Sequence, residues 1–141
     1  MNLEFRFLSI DYIDTIVDMV FLLDNEDISK SVLKTRFKEM FTQNYECIGI
    51  YASDKLIGVC GLWYMTRHYS GKSVEIDHVI INEDLRGKGL GKKLFIWLDN
   101  YLKTKQVETI ELNTYTGNTD SHKFYYNEGF KILGFHFLKT L

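Results

Sequence analysis

Residues 79–94 read Val-Ile-Ile-Asn-Glu-Asp-Leu-Arg-Gly-Lys-Gly-Leu-Gly-Lys-Lys-Leu. An apolar run ends in a polar turn, and glycines then alternate at 87, 89 and 91. Leu90, Leu94 and Leu98 follow at helical spacing, with Phe95 and Tyr101 beside them. The stretch is therefore strand, glycine loop, helix. The first backbone N–H groups of a helix have no partner within the helix, and the dipole is positive there. Glycines let those amides approach a ligand closely, so the junction suits phosphate. A glycine-rich turn before a helix is also, often, only a turn.

Two familiar phosphate motifs are excluded. The P-loop needs Gly, four residues, then Gly-Lys-Ser/Thr, and no such spacing occurs. The dinucleotide fingerprint needs G-x-G-x-x-G in the first βα turn of a βαβ unit, whereas these glycines alternate in mid-chain.

Composition narrows the remaining classes. A chain of 141 residues suits one domain, 1–141, with one substantial core. Its 45% hydrophobic and 26% charged residues are an ordinary globular balance. Net charge is −2 without a basic block, so nucleic acid is not favoured as a partner. The longest apolar run, Met19 to Leu23, is too short to span a bilayer, and Glu4 and Arg6 interrupt any signal-peptide pattern. Cys47 and Cys60 have no metal or redox spacing and read as buried reduced thiols, which places the protein in the cytoplasm. His68, His78, His122 and His136 are scattered, so no metal site is expected.

Periodicity predicts the elements in order. Leu3 to Leu8 alternates as a strand. Asp11 is a candidate cap for a helix to about Leu23, with Ile13, Ile16, Val17 and Val20 on one face. Ser29 caps a second helix carrying Leu33, Phe37, Met40 and Phe41. Tyr45 to Ala52 and Leu56 to Thr66 form strands joined by the turn Ser53-Asp54-Lys55. Lys72 to Asn82 is a long strand entering the glycine loop, and the third helix runs to about Lys105. Val107 to Thr114 is a fifth strand, Asp120 to Glu128 a short helix stopped by Gly129, and Phe130 to Lys139 a last strand. The order β-α-α-β-β-β-α-β-α-β predicts a mixed α/β fold with a six-stranded twisted sheet flanked by four helices.

Two motifs now converge. Arg86-x-x-Gly89-x-Gly91 is similar to the Arg/Gln-x-x-Gly-x-Gly/Ala pyrophosphate loop of the GNAT superfamily of N-acetyltransferases. Downstream, Asn118 stands seven residues before Tyr125, which stands four before Gly129-Phe130, again as in that family. Ser121 occupies a position where the family commonly has Ala. The helix Ser121-His122-Lys123-Phe124-Tyr125 and the ending Phe137-Leu138-Lys139-Thr140-Leu141 further resemble the aminoalkylphosphonate N-acetyltransferase branch, which reads Ala-His-Arg-Phe-Tyr and Phe-Thr-Lys-Ala-Leu there.

The resemblance implies a GNAT fold over the full chain and acetyl-CoA as cosubstrate. It implies that the amides of Gly87 to Gly91, including Leu90, hold the pyrophosphate, with Arg86, Lys88 and Lys92 adding charge. Backbone at Ile80 and Ile81 matches the positions that bind the pantetheine arm, and Asn118 and Ser121 belong to the same site. Tyr125 is implied as the acid that protonates the leaving thiolate.

Acyl transfer also needs a deprotonated amine, and a carboxylate supplies the base. Glu75 and Asp77 lie two apart, which on a regular strand is one face. The phosphonate branch has its glutamate at the Glu75 position, whereas many GNATs have a carboxylate nine residues before the loop arginine, which is Asp77. Both remain candidates, and His78 faces away on an ideal strand.

The expected activity is direct acetyl transfer to the primary amine of a small molecule, with an acidic group on the acceptor implied by the branch. Two alternatives stay open. One is a protein lysine or N-terminal acetyltransferase, against which the bulky Phe37, Phe41 and Tyr69 suggest a small pocket. The other is an acyl-CoA sensor without turnover. The family resemblance also leans towards a homodimer.

Overall fold

A computed structural model describes residues 2–23 and 27–141. In chain order the elements are β1 (Leu3–Leu8), a 3-10 turn (Ile10–Tyr12), α1 (Ile13–Leu23), α2 (Lys30–Met40), β2 (Tyr45–Ala52), β3 (Lys55–Arg67) and β4 (Gly71–Ile81). A second 3-10 turn (Glu83–Leu85), α3 (Leu90–Thr104), β5 (Thr109–Leu112) and α4 (Thr119–Asn127) follow. Contacts divide the chain into two compact units, one ending at Glu111 and one spanning Leu112–Leu141.

The first unit is built on the sheet. Strand order is β1-β2-β3-β4-β5, and β1 to β4 pair antiparallel. Ser53 and Asp54, both at positive φ (49° and 63°), make the tight turn between β2 and β3. Register then assigns the two faces. Leu8 pairs with Cys47, Cys47 with Gly61 and Tyr45 with Trp63, so these side chains share one face. Ile13, Ile16, Val17 and Val20 of α1 and Leu33 and Phe37 of α2 bury against that face. The opposite face meets α3. Phe5 stacks on Trp97 at 5.0 Å between centroids, and Phe7 lies 5.1 Å from Tyr101. Leu90, Leu94, Leu98 and Leu102 recur every fourth residue along α3 and are all buried. Each such leucine contributes about 1.5–3 kcal/mol.

Local rules account for most boundaries. Ser29 accepts from the Val32 amide and caps α2 as expected. Asp11 does not cap α1. Ser9 accepts from the Asp11 amide instead, and a 3-10 turn precedes the helix.

The expected sixth strand is absent. Among the described residues the sheet has five strands, and residues 131–141 carry no strand. Alternation indicates which face a strand would show. A strand exists only where its backbone finds a neighbour to bond. In this segment Ile132, Leu133, Phe135, Phe137 and Leu138 supply the apolar pattern and are 65–90% exposed.

In the second unit, α4 has well-defined ends. The Asn118 side chain accepts from the Ser121 amide at 3.4 Å. Past the helix, Phe130 N–H donates to the Tyr125 carbonyl and Gly129 N–H to that of Tyr126, with Gly129 at φ 94°. This is a Schellman cap, which demands the left-handed region and so favours glycine.

Candidate active site

The glycine loop begins where β4 ends. Asn82 caps the short turn Glu83–Leu85 by accepting from the Asp84 amide, and Arg86 N–H closes it onto the Glu83 carbonyl. The chain then passes through Gly87 (φ 76°) and Gly89 (φ 72°) into α3. A side chain at either position would meet nothing within 4 Å, so the glycines are there for backbone conformation and not for lack of room. Gly89 is the N-cap of α3 and supplies no side-chain acceptor to the first turn. The leading amides thus lie on an open surface without a side-chain cap. Leu90 is buried beneath them and anchors the turn. Arg86 Nε donates to the Ile81 carbonyl at 3.3 Å, tying its guanidinium to the strand end. Lys88 is exposed and Lys92 follows two residues into the helix.

The second strand edge of β4 is covered only in part. Glu108 N–H donates to the Lys72 carbonyl at 2.8 Å, so the chain joins β4 near its start. β5 has four residues and β4 eleven. The far half of β4, with Ile80 and Ile81, therefore runs beyond β5 on that side. Ile80 is buried in the α1/α2 core, and Ile81 is half-buried.

A bulge decides which β4 side chains face the α1/α2 layer. Gly61 and Leu62 are neighbours on β3, yet they pair with His78 and Ile76. Asp77 is the extra residue with no opposite number. Glu75 pairs with Trp63 and so shares the face of Trp63, Gly61 and Tyr45. His78, paired with Gly61, lies on this face too. Two expectations are thereby corrected. Glu75 and Asp77 do not share a regular face, because alternation breaks at Asp77, which is exposed. His78 does not face away from Glu75, because the bulge turns it back.

His78 is held tightly. Its Nε2 lies 2.7 Å from the Tyr45 hydroxyl, and its ring meets Phe37 edge-on at 5.8 Å. Burial, with smaller contributions from Cys47 and Asp77, pushes the Tyr45 phenol far up, so it stays protonated. Gly61 makes the room, since a Cβ there would fall within 2.3 Å of His78 Nε2. Trp63 stacks obliquely on Tyr45 at 5.2 Å.

Further along this face a polar cluster surrounds Glu111. Its carboxylate accepts from Arg67 Nε at 2.7 Å, Tyr69 Oη at 3.0 Å and Ser73 Oγ at 3.3 Å, and Ser73 is fully buried. Burial opposes the Arg67 charge, but the Glu111 contact outweighs it and the guanidinium pKa is raised. The Tyr69 phenol is raised, first by its hydrogen bond to Glu111. Glu75 adds a smaller electrostatic contribution at both groups. Of the aromatics expected to narrow a pocket, Phe37 is buried in the core and Tyr69 is 63% exposed. A hollow of about 290 Å³ lies elsewhere, lined by Phe7, Ile10, Phe41 and Tyr45 and not by Glu75.

Tyr125 sits in the last turn of α4, half-buried. Its ring meets Phe130 at 5.7 Å, the side-chain contact that accompanies the helix cap. The spacing Tyr-x-x-x-Gly-Phe therefore has a structural cause: Gly129 turns the chain so that Phe130 props the tyrosine. Asn118 and Ser121 belong to the N-terminal cap of the same helix. Tyr45, Trp63, His78 and Glu111 were not singled out from the sequence as site residues. Their placement depends on strand register and on the bulge, and neither has a local signature. Among the described residues no group of three or more His, Cys, Asp or Glu is placed to hold a metal ion, and no helix is long and apolar enough to cross a membrane.

Comparison with known proteins decides the family. Residues 14–130 match the acetyltransferase (GNAT) family. The chain belongs to that family. An aminoalkylphosphonate N-acetyltransferase of Salmonella typhimurium is 31% identical over 74 residues, which cover 52% of this chain and 48% of that protein. The chain thus matches about half the length of that relative. An uncharacterized N-acetyltransferase of Bacillus subtilis, YvbK, is 30% identical over 121 residues, covering 84% of this chain and 69% of the other. Among solved structures, an aminoglycoside N-acetyltransferase in complex with CoA superposes with a TM-score of 0.82 at 14% identity, covering 99% and 95% of the two chains. At that identity the likeness establishes the GNAT fold. Acetyl-CoA is the acetyl donor of GNAT enzymes.

Proposed function

We propose that this GNAT protein transfers the acetyl group of acetyl-CoA to the primary amine of a small molecule. The observation that carries the reading is the open, left-handed Gly87 and Gly89 turn leading straight from the Glu75 strand into the uncapped start of α3. Backbone amides of residues 87–91 are assigned the diphosphate, with Lys88 and Lys92 adding charge. Arg86 acts mainly by holding the turn against the Ile81 carbonyl. The uncovered edge of β4 at Ile80 and Ile81 offers backbone groups to the pantetheine arm.

The reaction is a direct attack in a ternary complex. Glu75 takes a proton from the ammonium form of the acceptor, directly or through water. The amine lone pair attacks the thioester carbonyl, the new C–N bond forms and the C–S bond breaks. Tyr125 gives its phenolic proton to the departing thiolate, and the proton shed by the newly acylated nitrogen passes, directly or through water, to the tyrosinate and restores the phenol. Glu75 is preferred to Asp77 as base because it shares the face of Tyr45, Trp63 and His78, whereas Asp77 is the exposed bulge residue. Asn118 and Ser121 act through the N-terminus of α4.

The aminoalkylphosphonate and aminoglycoside names among the similar proteins support a small-molecule acceptor over a protein lysine or N-terminus. A cytoplasmic location and action as a homodimer are part of the same reading. Thiol release from acetyl-CoA over a panel of free amines and peptides tests it. Turnover of free amines alone is expected. Turnover of peptides alone, or tight acetyl-CoA binding with no turnover of any amine, contradicts it.

A further inference from the structure

The hollow of about 290 Å³ lies between the chain at 7–10, which leaves β1, and the chain at 41–47, which enters β2. Phe7, Ile10, Phe41 and Tyr45 form most of its apolar wall. Phe7 and Ile10 are 51% and 45% exposed, so this wall is reachable from solvent. The Tyr45 hydroxyl is committed to His78, which leaves the ring to face a ligand. The hydroxyls along the wall are engaged as well. Thr42 Oγ1 donates to the Glu39 carbonyl at 2.6 Å, and Ser9 Oγ accepts from the Asp11 amide at 3.3 Å.

Glu46 is the charged residue of the lining, and it is half-buried. Its Oε1 accepts from Tyr64 Oη at 2.7 Å and from Tyr101 Oη at 2.9 Å. Both donors are neutral phenols, so they leave the negative charge in place. Among the described residues no Lys, Arg or His forms an ion pair with Glu46. A carboxylate partly withdrawn from water without a cation favours one supplied from outside. The ring of Tyr101 lies 5.1 Å from Phe7, so carboxylate and aromatic wall are neighbours.

We propose that this hollow binds a small N-methylated ammonium ion, its charge against Glu46 and its methyl groups on the rings of Phe7, Phe41 and Tyr45. Aromatic faces attract such cations electrostatically. A primary ammonium would need three hydrogen-bond acceptors, which a wall with engaged hydroxyls does not offer. An anion would be repelled by Glu46, and a neutral molecule would leave the carboxylate uncompensated. Sites for drug-sized ligands begin at about 300 Å³, so the occupant is small. Tyr45 couples the hollow to the interior, since its ring lines one and its hydroxyl holds His78 in the other. The inference does not rest on the acetyltransferase reading.

Choline is the probe, and dimethylbutanol, its uncharged isostere with carbon in place of nitrogen, is the control. The full chain with 13C-labelled Phe and Tyr rings is titrated with each. Choline is expected to shift the Phe7, Phe41 and Tyr45 ring signals saturably, and the isostere to bind about tenfold more weakly. Glu46→Gln keeps a carbonyl oxygen for the two phenols and removes the charge, and is expected to weaken choline about tenfold. Circular dichroism checks that the variant is folded. If it is not, the two probes on the parent chain decide alone. No saturable shift at these rings, equal binding of the isostere, or undiminished choline binding by folded Glu46→Gln would overturn the proposal.

Discussion

The hydroxyl of Tyr45 stands 2.7 Å from Nε2 of His78, and the pair meets across Gly61, the β3 residue opposite His78. Three strands cooperate in this contact. β2 supplies the phenol, β3 supplies the gap, and the Asp77 bulge in β4 swings the imidazole into it. A Cβ at residue 61 would come within 2.3 Å of the imidazole. Gly61→Ala is therefore expected to displace His78 and cost about 1–3 kcal/mol of stability, as overpacked positions do. Urea denaturation measures the loss. Steady-state kinetics should show a raised KM for the amine with little change in the KM for acetyl-CoA.

Tyr45→Phe separates packing from hydrogen bonding. The ring contacts with Phe37, Phe41 and Trp63 remain, and the hydroxyl's interactions with His78 and Cys47 are lost. A cost of about 1–3 kcal/mol is expected, since a buried imidazole nitrogen loses its partner. A variant as stable as the parent in urea would show that the bond contributes nothing net.

The glycine loop gives a prediction about conformation alone. A side chain at residue 89 has open space but a left-handed backbone at φ 72°. Asn visits that region more readily than β-branched residues do. Gly89→Asn is expected to keep most of the affinity for acetyl-CoA, and Gly89→Val to lose more, through about 1–2 kcal/mol of added strain. Titration calorimetry with both variants checks the order. Equal loss in both would mean that backbone conformation is not what the glycine supplies.

Cys47 sets a pH dependence. Burial raises its thiol, a hydrogen bond from Tyr45 offsets this in part, and the net value is about 11 against an ordinary 9.0. The unfolded thiol ionises first as pH rises. Stability from this group is therefore complete below about pH 9 and is lost towards pH 11, an effect on the order of 2–3 kcal/mol. Burial raises Cys60 as well. Urea midpoints from pH 8 to 11 should fall, and Cys47→Ala should flatten part of that fall. Native protein at pH 8 should resist alkylation at both thiols.

The sequence foretold the local features and missed the long-range ones. The loop, α3 and the α4 stop depend on glycines and on leucine spacing, which act within a few residues. Ser29 could be read as a cap for the same reason. The face of His78 could not, because a bulge at Asp77 exists only in the pairing of β4 with β3. Glu111 looked like one residue of an alternating strand, and its partners Arg67, Tyr69 and Ser73 are 38 to 44 residues away. Phe130 to Lys139 reads as a strand from alternation, which reports faces and carries no information about a partner.

The most direct measurement is the amide spectrum of 15N-labelled protein during titration with CoA. The largest shifts are expected at Gly87, Gly89 and Gly91, because their N–H groups would bond the diphosphate. Saturable CoA binding that leaves those three amides unmoved would contradict the central claim.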